Sequence, residues 1–324
     1  MQDDKIIVNV FGLKNMAGLI EQSPNNKGVF GNIQFVFDER QECDYVVIKN
    51  RIAEKKHVFC DPDNIWGLMM EPDVDGFFDF TKIGHSQYGK VFTTGNHSRK
   101  SKYIKSHIMT SWFCNGSYDK IVDHPIGKKE KDISCIASTK SFLPGHKKRL
   151  RFVEELKKVD LGIDHFGHGT NPIGNKWDGL FPYKFSLAIE NSSLPDYWTE
   201  KISDCFMAYT IPIYYGCTNI HEYFPEGSIL HVDVDDFHST VKKIKDAVNG
   251  GYYEKNFNAL MDARQLYISK YHFFPSIAAH IMNDISIKGH RKFKPKHICI
   301  EPYRQPVART VVNIFKSQLR KLGY

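Results

Sequence analysis

Short apolar runs, separated by turn-rich polar pieces, fill the first part of the chain. These runs cover residues 6–10, 33–37, 45–48, 57–60 and 65–70. Continuous apolar runs of this length, without a regular polar alternation, are typical of strands that are buried on both faces. The pattern therefore predicts a mainly parallel β-sheet in the N-terminal part of the chain.

Beyond a polar, loop-like stretch at 119–132, predicted strands and helices alternate. Strands are expected at 133–137, 163–166, 185–189, 211–215 and 228–232, and amphipathic helices at 146–159, 199–209 and 236–248. This alternation is typical of a doubly wound α/β domain with right-handed crossovers. We expect two Rossmann-like α/β domains facing each other across a cleft, 1–128 and 129–290, with ligands bound at the carboxyl ends of the strands.

Composition places the chain among folded intracellular proteins. It has 324 residues, 41% of them hydrophobic and 25% charged, a size typical of two ordinary domains. Its seven cysteines include no CxxC pair, so neither a disulfide framework nor a zinc ribbon is expected. Because the chain also shows no secretory signal and no apolar run of ~18 residues, we expect a cytoplasmic protein.

The positive charge is concentrated in the segment 291–324. This segment holds nine Lys or Arg against Glu301, a charge of +8, while the first 290 residues hold 35 basic against 36 acidic residues. A nearly neutral body argues against nucleic-acid binding. A helix over 308–324 would place Val311, Phe315 and Leu319 on one face. Such a basic amphipathic tail either docks on the protein or lies on the inner face of a membrane.

The most informative stretch is YKFSLAIENSSLPDYWTEKI, residues 183–202. It predicts a buried strand ending in Glu190 and Asn191, a polar loop and a helix that begins near Thr199. A strand end and a helix N-terminus together present backbone donors, a carboxylate and an ammonium to one ligand. A purely structural interpretation is equally open, in which Thr199 caps the helix and Glu200 and Lys201 are charges of its first turn.

Together with IPIYYG at 211–216 and HVDVDDF at 231–237, this stretch resembles the C-terminal signature of glycosyltransferase family 10, the α-1,3/4-fucosyltransferases, in its bacterial version. The resemblance implies the GT-B arrangement of two domains, inversion at the anomeric carbon and GDP-fucose as donor, with no obligatory cofactor or metal. It also implies a glycan acceptor containing GlcNAc, fucosylated in α-1,3 linkage, such as a lipid-linked lipopolysaccharide precursor. Transfer from another GDP-sugar, and a non-catalytic protein that binds glycans or nucleotide sugars, are the alternatives.

The resemblance also assigns the donor-binding residues. Arg149 and Lys201 correspond to the cations on the donor phosphates, where they would neutralise the departing GDP. Glu200 corresponds to the carboxylate that accepts the ribose hydroxyls, Asn191 to a polar donor contact and Tyr197 to a wall beside the phosphates. For Arg149 a solvated helix face is the alternative, because its neighbours are also basic. Trp198 departs from the family pattern, which has a small β-branched residue there.

An inverting transfer also needs a base for the acceptor hydroxyl. The resemblance places this base at the end of a strand of the N-terminal domain, and Glu71, after the apolar run 65–70 and before Pro72, fits that context. Asp73 is the alternative base, and a surface acid that merely ends the strand is the structural interpretation.

Two further patterns suggest metal ligands. Asp233 and Asp235 form a DxD pair, but we expect Asp235 or Asp236 to cap a helix there instead. We also expect local roles for His165 and His168.

Overall fold

The computed structural model describes residues 5–13, 16–38, 42–74, 78–96, 101–114, 116–137, 144–167, 171–289 and 295–304. In chain order, the strands and α-helices of these ranges are β1 (Ile6–Phe11), β2 (Val29–Phe30), β3 (Ile33–Val36), β4 (Tyr45–Lys49), β5 (Lys56–Cys60), β6 (Ile65–Leu68), β7 (Lys90–Thr93), β8 (Tyr103–Lys105), α1 (Tyr118–Val122), β9 (Lys131–Ile136), α2 (Pro144–Leu156), β10 (Ile163–Phe166), β11 (Tyr183–Ile189), α3 (Glu200–Met207), β12 (Ile211–Tyr215), β13 (Leu230–His231), α4 (Phe237–Asn249), α5 (Tyr252–Lys255), α6 (Phe257–Leu266), α7 (Phe273–Lys288) and β14 (Lys296–Ile300).

The chain divides into two compact units. The first contains 1–17, 34–105 and the segment from 292 onward, and the second contains 18–33 and 106–291. Strands β2 and β3 lie where the chain passes from the second unit back to the first.

The first unit is built on a parallel sheet. Its strands lie in the order β3-β1-β4-β6-β7-β8, and the pairs β1–β4, β4–β6, β6–β7 and β7–β8 are parallel. All five residues of β4 are buried, as expected for a strand that is covered on both faces. The prediction of a parallel sheet in the N-terminal part is confirmed.

Strand β5 corrects two predictions at once. Residues 57–60 were expected in the parallel sheet, but β5 pairs antiparallel with β14 in a separate two-stranded sheet. Residues 291–324 were expected to form a tail outside both domains, yet β14 belongs to the first unit and buries Ile300 completely. Tyr303 then packs so closely on Gly84 that a Cβ there would lie 2.7 Å from its ring. The predicted helix over 308–324 lies outside the described residues.

The second unit holds a parallel sheet in the order β10-β9-β11-β12-β13. Helices α2, α3 and α4 follow β9, β11 and β13, which confirms the doubly wound α/β class. Its core includes the fully buried side chains of Phe152, Phe185 and Phe206. Helices α5 to α7 and the single π-helical turn Tyr267–Tyr271 were not predicted.

The second unit begins earlier in the sequence than the predicted boundary at 128/129. The polar stretch 119–132, expected to be loop-like, includes most of α1, and Arg264 of α6 donates a hydrogen bond of 2.6 Å to the carbonyl oxygen of Ile121. Segment 18–33 joins the same unit because the Gln22 amide donates to the carbonyl oxygen of Trp112 and the ring of Phe30 stacks on Phe274. Both segments are tied by contacts between residues far apart in sequence.

All seven cysteines are free thiols, and only Cys299 is exposed. Among the described helices, none has the length and apolar character to cross a bilayer.

Candidate functional site

A cavity of about 270 Å³ lies in the second unit, at the carboxyl ends of β9 and β10. Its lining consists of Ile136, Ala137, Arg149, Gly167, Pro172, Ile173, Lys176, Glu200 and Lys201. Three of the predicted donor-binding residues, Arg149, Glu200 and Lys201, therefore line one cavity. The carboxyl edge of a parallel sheet is where α/β domains bind ligands.

Arg149 of α2 reaches this cavity from a buried position. Only 7% of it is exposed, and its Nη1 donates a hydrogen bond to Oδ1 of Asn191. Burial lowers the pKa of Arg149 from its ordinary value, although the guanidinium stays charged at neutral pH. The interpretation as a solvated helix face does not hold, because a buried guanidinium requires compensating partners. The neighbouring Lys148 instead pairs with Asp235.

A close backbone approach brings α2 to Asn191. A Cβ at Gly145, in the first turn of α2, would lie 1.6 Å from the carbonyl oxygen of Asn191. Only glycine fits there, because no real Cβ comes so near another atom. A second glycine, Gly167, has φ +128° and would place a Cβ 2.1 Å from the carbonyl oxygen of Ala137. Sequence reasoning did not single out these two glycines, which let the walls of the cavity approach each other.

Lys201 is held by the carboxylate that ends β11. Its Nζ lies 2.9 Å from Oε2 of Glu190, whose side chain is fully buried, and 3.0 Å from Oγ1 of Thr199. Thr199 caps α3, and its backbone N and Oγ1 donate to Glu190 at 2.7 and 2.8 Å. Burial acts to lower the pKa of Lys201, but the charges of Glu190 and Glu200 raise it above the ordinary value. The cap of α3 and the ion pair of Lys201 thus belong to one network.

Glu200 lies between two lysines. Its Oε1 is 3.7 Å from Nζ of Lys176 and 3.9 Å from Nζ of Lys201. Burial acts to raise the pKa of Glu200, but the two ammonium groups outweigh it and hold this pKa below the ordinary value. Glu200 is therefore ionised at neutral pH and acts as a hydrogen-bond acceptor. Lys176 also lines the cavity, and no pattern in the sequence singled it out.

The predicted residue Tyr197 lies apart from this cavity. It is 4% exposed, in the loop between β11 and α3, and is not among the described residues that line the cavity. The adjacent Trp198 is fully buried and stacks on the ring of His107 at 5.1 Å. Burial lowers the pKa of His107 to about 3, so a neutral ring meets the indole. The departure from the family pattern at Trp198 is thus accommodated in the core.

The predicted base, Glu71, lies in the first unit. It is half-buried and follows β6 by three residues, at the carboxyl end of the strand. The loop before it is fixed by Asn50, whose Oδ1 accepts a hydrogen bond of 2.6 Å from Met70 N. The alternative base, Asp73, forms an ion pair of 3.1 Å with Lys82.

The residues that suggested a metal site have local partners. Asp236 accepts a hydrogen bond from the backbone N of Ser239 and caps α4, as expected, and Asp235 pairs with Lys148. His165 lies on β10, where burial lowers its pKa, and His168 lies outside the described residues. Across the described ranges, no three His, Cys, Asp or Glu side chains are grouped closely enough to hold a metal ion.

Comparisons with known proteins point to one family. A family described as "Glycosyltransferase family 10 (fucosyltransferase) C-term" matches residues 126–258. A fucosyltransferase-like protein of Arabidopsis thaliana is 30% identical over 172 residues, which cover 52% of this chain and 31% of that protein. The human 3-galactosyl-N-acetylglucosaminide 4-alpha-L-fucosyltransferase is 35% identical over 96 residues, 28% of this chain and 26% of that enzyme. The chain thus spans less than a third of the length of these curated relatives.

Among solved structures, an alpha1,3-fucosyltransferase superposes with a TM-score of 0.54 at 16% identity, over 90% of this chain and 92% of that one. An alpha-glucosyltransferase in complex with UDP and DNA gives 0.50 at 10% identity, over 87% and 99%. At these identities the likeness concerns the fold, two α/β domains with parallel sheets.

Proposed function

We propose that this chain, whose residues 126–258 match glycosyltransferase family 10, transfers fucose from GDP-fucose to a hydroxyl group of a glycan acceptor. The observation that carries the proposal is the cavity that gathers Arg149, Glu200 and Lys201. All three residues lie inside the segment that matches the family, 126–258.

The charges of this cavity suit a nucleoside diphosphate. A buried guanidinium and an ammonium can bind the two phosphates and stabilise the negative charge that grows on GDP as it departs. The ionised Glu200 can accept hydrogen bonds from the ribose hydroxyls. Asn191 orients Arg149 through its side-chain oxygen and thus acts on the donor through the guanidinium. In this proposal Tyr197 supports the loop between β11 and α3 from its buried position.

The proposed reaction is a single displacement that inverts the anomeric carbon. The acceptor oxygen forms a bond to C1 of fucose while the bond from C1 to the β-phosphate oxygen breaks, and GDP leaves with that electron pair. The Glu71 carboxylate takes the proton of the acceptor hydroxyl. The position of Glu71 beyond the carboxyl end of β6 supports this assignment.

The acceptor and the place of action complete the proposal. We propose a GlcNAc-containing glycan, fucosylated in α-1,3 linkage and carried on a lipid, such as a lipopolysaccharide precursor. The enzyme would act in the cytoplasm, with the basic segment beyond Arg304 on the inner face of the membrane. The four basic residues beyond Arg304, against no acidic one, support this placement, because basic residues near anionic lipid contribute ~1 kcal/mol each.

The decisive experiment is a donor panel. The protein is incubated with GDP-fucose, GDP-mannose, UDP-glucose and UDP-GlcNAc, and both protection against thermal unfolding and hydrolysis of each donor are measured. We expect GDP-fucose to protect most and to be hydrolysed fastest, also in excess EDTA. Preference for GDP-mannose would identify a transferase for another GDP-sugar, and protection without any hydrolysis or transfer would support a binding protein. Preference for a UDP-sugar would refute the proposal.

The membrane placement has a separate test. A chain ending at Arg304 keeps β14 and Tyr303, which are part of the first unit. It should bind liposomes containing anionic lipid more weakly than the full chain while retaining its affinity for GDP. Binding by the full chain should also weaken with added salt, because ions screen the attraction. Equal liposome binding by both chains would refute the placement.

A further inference from the structure

Lys176 faces the same cavity as the predicted donor-binding residues. It is the first residue of the 3₁₀ turn Lys176–Gly179, which begins after Asn175, and Oδ1 of Asn175 accepts a hydrogen bond of 2.9 Å from Trp177 N. The side chain of Lys176 is 30% exposed and lines the cavity together with Arg149 and Lys201. Its backbone is therefore fixed by a capped turn while its ammonium group remains accessible to a ligand.

A buried carboxylate fixes the ammonium group of Lys176. Nζ lies 2.9 Å from Oδ2 of Asp204, whose side chain is 2% exposed. The other oxygen of Asp204 accepts hydrogen bonds from the backbone N of Phe113 at 2.6 Å and of Cys114 at 3.3 Å. Because the backbone anchors Asp204, the position of the lysine is set by the fold rather than by the donor.

The other neighbour of Lys176 is Glu200. Nζ of Lys176 and Nζ of Lys201 flank Glu200 Oε1 at 3.7 and 3.9 Å. Both distances are within ion-pair range but longer than a hydrogen bond, which spans ~2.7–3.2 Å. The two lysines therefore stabilise the charge of Glu200 without donating a hydrogen bond to Oε1. This oxygen thus faces two cations and can still accept a hydrogen bond from a hydroxyl group of a ligand.

We propose that Lys176 is a positioning residue of the donor site. It holds Glu200 ionised and oriented so that this carboxylate accepts hydrogen bonds from the ribose hydroxyls of a guanosine diphosphate sugar. The proposal rests on the nucleotide donor proposed above. It adds Lys176 as a residue that orients Glu200 for recognition of the ribose. The competing role is a direct contact between Lys176 and the diphosphate.

The test compares two probes, GDP and 2′,3′-dideoxy-GDP, by isothermal titration calorimetry. Lys176→Met should weaken GDP binding about tenfold, because the charge-assisted hydrogen bonds from the ribose hydroxyls to Glu200 are partly lost. Binding of dideoxy-GDP should change less than twofold, because it lacks the hydroxyls that Glu200 would accept. Lys176→Arg should retain most of the GDP affinity. Glu200→Gln should show the same selective loss, and the loss in the double variant should not exceed that of the larger single one.

Two controls protect the experiment. Lys131→Met removes an exposed lysine paired with Asp164 outside the cavity and should leave both affinities unchanged. Lys176→Met with Asp204→Asn removes the ion pair without leaving a buried charge unpaired. This double variant should have the thermal unfolding midpoint of the wild type and show the same selective loss of affinity for GDP over dideoxy-GDP.

Three outcomes would overturn the inference. Equal losses for GDP and dideoxy-GDP in Lys176→Met would assign the lysine to the phosphates. Unchanged GDP affinity would assign it to structure alone. Losses that add in the double variant with Glu200→Gln would separate the two residues. If the wild-type protein binds neither GDP nor dideoxy-GDP, the proposed donor is wrong. That result is distinguishable from a failure of the Lys176 proposal, in which the wild type still binds GDP.

Discussion

The two units share an architecture but hold their candidate residues in different ways. In the second unit, Lys201 and Glu200 belong to a network of charged side chains that fix one another. In the first unit, Glu71 follows a loop that is fixed by a hydrogen bond from Met70 N to the side-chain oxygen of Asn50. A network of this kind holds several charged side chains in place and suits a site that binds a highly charged ligand. A carboxylate on an ordered loop suits proton transfer, because its oxygen must lie within hydrogen-bond reach of the acceptor hydroxyl.

The largest effect should come from Glu71→Gln, which tests whether the carboxylate of the first unit is the base. Turnover should fall by ~10² or more with donor affinity nearly unchanged, because a base acts mainly in the transition state. The measurement is kcat for fucose transfer beside the Kd for GDP. Asp73→Asn, which breaks an ion pair with Lys82, should retain turnover within a few-fold. Wild-type turnover in the Gln variant would move the base elsewhere, to Asp73 if the Asn variant is the inactive one.

Arg149→Met tests whether the charged side chains of the second unit bind the nucleotide. Loss of the buried guanidinium should weaken GDP binding by about 10- to 100-fold, because charge-assisted bonds to phosphate are among the strongest. Lys148→Met is a matched control, since Lys148 is adjacent on α2 but pairs with Asp235. Calorimetry of both variants should show a loss in the first alone. Similar losses in both would mean that the charge of α2, and not one guanidinium, attracts the nucleotide.

Asn50 tests whether the loop before Glu71 needs its side-chain acceptor. The residue has φ +60°, a conformation that glycine, asparagine and aspartate tolerate best. Asn50→Gly keeps the backbone conformation but removes the acceptor for Met70 N, and kcat should fall about tenfold at unchanged GDP affinity. Asn50→Asp keeps an acceptor oxygen and should retain most of the rate. If both variants have the wild-type kcat, the loop is fixed by other contacts.

The smallest effect concerns stability in acid. A carboxylate whose folded pKa is depressed stabilises the fold above its unfolded pKa, ordinarily 4.5 for glutamate, and this contribution is lost as the pH falls through the folded pKa. The difference in unfolding free energy between the wild type and Glu200→Gln should therefore shrink between pH 6 and pH 3. Urea titrations at both values measure it. A constant difference would mean that Glu200 is not ionised by its lysine neighbours.

Sequence and structure agree best where the site is local. Residues 190–201 run from a strand end to the first turn of a helix, so the positions of Glu190, Thr199 and Lys201 follow from adjacent elements. Arg149 could be selected only through the resemblance, because the pattern of α2 does not distinguish it from basic neighbours such as Lys148. Burial, which separates the two, depends on contacts made in the folded unit.

The remainder depends on contacts that no local pattern encodes. Lys176 is held at the cavity by its ion pair with Asp204. Asn50, after β4, accepts a hydrogen bond from Met70, after the neighbouring strand β6. The apolar run at 57–60 has the composition of a parallel strand, but its partner is β14. Gly145 is a signal that could have been used, because a glycine at the start of a predicted helix can indicate close backbone approach.

The pairing of β5 with β14 also sets the order in which the protein can be completed on the ribosome. Val58 faces Ile298, 240 positions later in the chain, whereas the sheet of the second unit is contained within 131–231. At ~5–20 residues per second, translation leaves β5 without its partner for roughly 12–48 s. The second unit can therefore complete its sheet first, whereas the first unit keeps β5 without its partner strand until β14 emerges.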